Sequence, residues 1–197
     1  MNGLDIKPHN RTMQKLVAFV LAAAAFYTLL KLQSAASEYL QNENGFYTVY
    51  LPAGIAFLAI LVGRAYGALG IFFALVPHYI SRASDVDAII IVSMIAFSLT
   101  LQLLVVEIFL FALGINKKLE NIRFLHITLL ALIFSFTHSL CHYLNLLILT
   151  KNQIDWFESK MALGTLFGIF AILTLFWILT KLSKYLLENT LFKVSKN

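Results

Sequence analysis

Glu107 is the one acidic residue inside a long apolar run, and His138 and His142 stand one helical turn apart in another. A charge at membrane depth costs about 2.5–3.5 kcal/mol on insertion scales, so Glu107 must face other helices or take a proton. It is therefore a candidate proton or ligand site. A protonated carboxyl bonded to a neighbouring helix, or one reaching for the inner edge of the bilayer, fits the same facts. His138 and His142 share a helix face with Asn145, and Cys141 lies beside them. Imidazole is a common metal ligand, so the segment HSLCH invites a metal or haem. Such sites need three or four ligands, or for a bis-histidine haem a partner on a second helix. His78 is the only other histidine near that depth. Interhelical hydrogen bonding explains the pair without a ligand. No metal and no other cofactor is expected. Thr100, Gln102, Ser135 and Thr137 read as polar contacts between helices. The sequence has no P-loop, nucleophile elbow, HExxH or carboxylate dyad, so a non-enzymatic role is expected.

The elements that would carry these residues are membrane helices. The chain is 60% hydrophobic and 13% charged. Soluble domains carry about 25% charged residues, and half that cannot coat a soluble surface. The net charge of +5 sits in loops and tails, as a membrane protein needs, which argues against nucleic acid. A single cysteine excludes an internal disulfide, and strand-like alternation is missing, which argues against an outer-membrane barrel.

The stretch 47–80 organises the rest. Two apolar runs, Leu51–Val62 and Ala65–Val76, flank a short break at Gly63 and Arg64. Pro52 and Gly54 open the first run, and Gly67 and Gly70 open the second. Proline fits the first turn of a helix, where its missing N–H is an orphan anyway. Small residues let helix backbones approach closely in lipid. The pattern predicts a tight hairpin of two membrane helices with Arg64 at its tip. Further spans are expected at Met13–Leu32, Ala88–Ile115, Leu125–Thr150 and Met161–Leu182. Gly164 and Gly168 form a small-residue face for close packing in the last of these. The first run resembles a signal peptide superficially, but with no clear cleavage site following it is read as an uncleaved helix.

The expected fold is therefore all-α: a tail over 1–12, a six-helix membrane domain over 13–182, and a short tail over 183–197. Of the fifteen Lys and Arg, eleven fall on the side of the termini and four on the other. That bias predicts cytoplasmic termini. The outer loops collect Glu38, Glu43, Asp85, Asp87, Asp155 and Glu158, with Tyr47, Tyr50, Tyr79 and Trp156 as an aromatic belt.

The segment LPAGIAFLAILVGRAYGALGIFFAL resembles the most recognisable part of the MASE family, first class: membrane-associated sensor domains of bacterial signalling proteins. Leu51, Pro52, Gly54, Gly63, Arg64, Tyr66 and Gly70 carry the resemblance. The stretch is also similar to the membrane part of the sensor kinase that controls hexose-phosphate uptake. The family often has Gly-Asp-x-x-Gly at a later helix start. Here the positions are Gly164, Thr165 and Gly168, so Thr165 replaces the acidic residue. The resemblance covers 47–177 and implies a ligand- or partner-binding module of a bacterial inner membrane. Family members usually precede a kinase or cyclase, whereas this chain stops about fifteen residues after its last expected span. Output through a separate membrane protein is then expected. A small-solute transport component, of the type that binds substrate for vitamin transporters, is the alternative, and a haem-binding membrane protein is a third reading.

Overall fold

In the computed structural model the described residues are 8–36, 49–81, 87–116, 119–150, 163–174, 177, 178 and 181. All the elements among them are helices: α1 (Pro8–Ala35), α2 (Leu51–Ile80), α3 (Ala88–Ala112), α4 (Phe124–Thr150) and α5 (Leu163–Thr174). Four of them, over Thr12–Ala35, Leu51–Ile80, Ala88–Ala112 and Phe124–Leu144, are long and apolar enough to cross a membrane. The acidic outer-loop residues Glu38, Glu43, Asp85, Asp155 and Glu158, the belt residues Tyr47 and Trp156, and the tail 183–197 lie outside the described residues.

The length of α2 conceals a reversal. Arg64 leaves the helical region, at φ 53° and ψ −132°. The arm after it folds back along the arm before it. A Cβ at Gly67 would fall on the Ala59 carbonyl. In a straight helix residues that far apart in sequence would be separated by about 12 Å. Contacts with α1 trace the same path. Gln33 reaches the backbone at Val49 and Leu51, whereas Gly63 faces Ala18. Beyond the reversal, Lys15 lies over the Tyr66 ring, and Gly70 packs against Phe19 and Ala22. The first arm therefore runs antiparallel to α1, and the second runs parallel to it.

The remaining helices line up on this hairpin. Glu107 of α3 meets Arg64, so α3 descends from Asp87 toward the hairpin tip. Phe134 of α4 packs edge-on against Phe57, and His138 lies beside Tyr50, so α4 climbs back. In α5, the Gly164 carbonyl accepts from the Tyr50 N–H, and Ile172 lies against Gly54. Phe26, Phe57, Ile60, Ile71, Val106, Leu110, Leu130, Phe134 and Ile169 are buried at 2% exposure or less and form one core.

Several helix ends differ from the sequence reading, each for a local reason. α1 starts at Pro8, inside the segment assigned to the tail, because proline is acceptable at a first helical position. It continues past Leu32 through Gln33, because the Gln33 amide finds partners: Nε2 donates to the Val49 carbonyl and Oε1 accepts from the Leu51 N–H, both at 2.9 Å. α3 ends at Ala112 rather than Ile115. Gly114 takes the left-handed conformation (φ 65°), its N–H donates to the Phe111 carbonyl, and the Ile115 N–H donates back to Leu110. At its other end Asp87 caps α3, its carboxylate accepting from the Ile89 N–H at 2.8 Å.

Candidate functional site

Among the described residues, polar side chains gather toward both ends of the apolar bundle. At the hairpin tip, Arg64 Nη1 lies 3.3 Å from Glu107 Oε1. The residue with the helix-breaking backbone and the acidic residue of α3 are thus ion-paired. Sequence reasoning treated Arg64 as a loop charge and Glu107 as an isolated one. The pair is partly solvated, with side-chain exposures of 22% and 48%, so its net strength is modest.

The other group lies at the Tyr50 end. His138 is placed between aromatic rings, 5.7 Å from Tyr50 and 6.1 Å from Phe134 between centroids, near-parallel to both. Its Nδ1 is enclosed and has no hydrogen-bond partner among the described residues. The same holds for Gln102 Oε1 on α3 and Ser139 Oγ on α4. Gln102 is 3% and Ser139 is 1% exposed. Burying a polar group without a partner costs about 1–3 kcal/mol by mutational measures. Around them lie Ser98, Ser135 and Thr137, all buried. The buried Cys141 thiol is hydrogen-bonded to Ser98, which aligns this part of α3 with the histidine segment of α4.

The sequence-derived candidates fall into separate groups. His138 and Cys141 belong to the polar layer at the Tyr50 end, and His142, partly buried, continues α4 one turn further. Asn145 lies in α4, and its side chain is outside the described residues. Glu107 sits instead at the opposite end with Arg64, so the carboxylate and the histidines do not form one site. Among the described residues no three His, Cys, Asp or Glu side chains come together as a metal site. Thr100 and Thr137 spend their hydroxyl protons within their own helices, each donating to a carbonyl four residues back, Ala96 and Ile133.

The motif glycines are packing positions. Leu51 and Pro52 open the first arm, with Pro52 buried. A Cβ at Gly54 would meet Ile172 and the Gly168 carbonyl, one at Gly70 the Phe19 carbonyl, and one at Gly168 the Tyr50 carbonyl. Gly164 is also buried, and Thr165, at the position where the resembled family has an acid, is 3% exposed. Sequence reading missed Gln33, whose only signal was an amide directly after an apolar run.

Comparison with family models, with curated proteins and with solved structures finds no match.

Proposed function

We propose that this chain is a six-pass, non-enzymatic sensor-like module of a bacterial inner membrane. It takes a small hydrogen-bonding molecule at the Tyr50 end, among α2, α3 and α4, and passes the change to a separate signalling protein in the membrane. One observation carries this reading: acceptor-capable atoms of Gln102, His138 and Ser139 are enclosed in an apolar bundle without partners among the described residues. A protein that only needed packing there gains nothing from them. A ligand bearing N–H or O–H groups would satisfy them. The resemblance of Leu51, Pro52, Gly54, Arg64 and Gly70 to the MASE sensor motif points to the same class.

The six-pass reading counts the two arms on either side of the reversal at Arg64 as separate passes. The arms 51–63 and 65–80 are about 20 and 24 Å long at 1.5 Å per residue, less than a standard hydrocarbon core of about 30 Å. α1 has the same reach between Lys15 and Lys31, also about 24 Å, and Lys15 lies over Tyr66 beside the tip. The hairpin thus extends as far as α1 does between its flanking cations, and α1 is continuous and apolar enough to cross. With lysines reaching to the interface, a locally thinned bilayer accommodates both. The eleven-to-four Lys and Arg bias supports cytoplasmic termini.

Thermal unfolding in phosphatidylcholine nanodiscs tests the site, with a panel of amino acids, sugars, sugar phosphates and nucleosides. At least one class is expected to raise the Tm of the wild type and leave the Gln102→Leu, His138→Phe double variant unmoved. That variant should itself melt no lower than wild type, because replacing unpaired polar groups with apolar ones of similar shape is neutral or stabilising. A wild type that no compound moves, or a double variant that responds like wild type, contradicts the reading. Accumulation of the active compound in sealed vesicles would assign the same site to transport.

A further inference from the structure

We propose that the hairpin tip is a binding site for the phosphate of an acidic phospholipid headgroup, with Arg64 and Lys15 as its donors. This site is independent of the polar layer at the Tyr50 end and of the sensor reading.

Three observations point there. First, Arg64 occupies a backbone conformation that only glycine adopts freely, φ 53° with ψ −132°. A glycine stands next to it at position 63. Strain of this kind persists where the side chain has a use. Second, the guanidinium is under-used. It carries five N–H donors, and the described structure gives it one acceptor, a single long contact of 3.3 Å to one Glu107 oxygen. A paired guanidinium meets a carboxylate or phosphate through two parallel bonds. Third, the surroundings are those of a bilayer interface. Lys15 Nζ lies 5.1 Å from the centre of the Tyr66 ring, and both residues are exposed. Tyrosine over a lysine, two residues from an arginine, is the composition that marks the headgroup level. The same end carries the exposed apolar side chains Leu16, Val62 and Leu69, which suit acyl chains.

Glu107 is the one acidic side chain shown against Arg64, and its exposure lets it yield. When a headgroup phosphate arrives, the guanidinium keeps Glu107 on one edge and turns its free N–H groups to the phosphate oxygens. Lys15 supplies the second charge from α1. An inner leaflet rich in anionic lipid is where the Lys and Arg bias puts this end of the bundle.

The test is native mass spectrometry of the full chain released from nanodiscs of phosphatidylcholine mixed with phosphatidylglycerol. Wild type is expected to retain phosphatidylglycerol in preference to phosphatidylcholine. Lys15→Gln and Arg64→Gln should each lower that preference by more than about fivefold, the general effect of one basic residue near an anionic surface. Lys15 is exposed on α1, so its variant reports even if Arg64→Gln fails to fold. Glu107→Gln removes the competing negative charge and is expected to raise the preference. Arg123→Gln makes the same charge change at another exposed position on that side and should lower it by no more than this general effect. Equal loss in Arg123→Gln would mean general surface charge and overturn the site. Retention unaffected by Lys15→Gln would overturn it too. If inorganic phosphate in pure phosphatidylcholine protects the tip against heat as well as phosphatidylglycerol does, the ligand is a free anion and the lipid assignment falls.

Discussion

Gly67→Leu is expected to abolish the hairpin and with it most of the folded yield. The added Cβ alone would fall on the Ala59 carbonyl and carbonyl carbon, and backbone cannot step aside as a flexible side chain can. Overpacking of soluble cores costs about 1–3 kcal/mol and occasionally more, and a backbone clash belongs at the upper end. Gly63→Ala makes the contrast, because a Cβ there meets only the Ala18 methyl at 3.5 Å, an ordinary contact. Denaturation in mixed micelles should separate the two variants clearly. A Gly67→Leu protein with wild-type midpoint would mean that the two arms do not touch.

The second large effect is expected at Gln33. Its side chain is 2% exposed and bridges two backbone groups, the Val49 carbonyl and the Leu51 N–H. It thereby does for the first arm what a local N-cap would do, since Tyr50 offers no side-chain cap. Gln33→Leu keeps the volume and removes both bonds. Each buried backbone group left unpaired costs about 1–3 kcal/mol. The variant should therefore lose stability in the same micelle assay by several times more than Ser34→Ala, whose hydroxyl only bonds the Leu30 carbonyl of its own helix. Equal midpoints for the two would show that another group caps the arm.

These two residues also mark what the sequence discloses and what it withholds. The reversal was legible because its cause is local: a polar, small-residue break between two apolar runs, with Pro52 opening the first. Gly67 and Gly70 were legible as close-packing positions for the same reason. The end of α1 was not legible, because Gln33 reads as a loop residue until its partners near position 50 are known. The Arg64–Glu107 pair was not legible either. It joins positions far apart in the chain, and no spacing rule links the break of one helix to the interior of another. The histidine segment could be read as a polar face. That His138 Nδ1, Gln102 Oε1 and Ser139 Oγ lack partners among the described residues is a property of packing between helices, which periodicity does not contain.

The most direct test of the account is the accessibility of the hairpin tip. Ala65 is exposed and next to Arg64, so Ala65→Cys, in a Cys141→Ser background, reports the tip alone. A membrane-impermeant thiol reagent is expected to label this variant in inside-out vesicles and not in right-side-out ones. A straight Leu51–Ile80 helix would instead hold position 65 near mid-bilayer, about 20 Å from either end of the helix and beyond the reagent's reach. An Ala65→Cys protein that stays unlabelled from both sides, and reacts only after detergent is added, would contradict the hairpin and the bundle arranged around it.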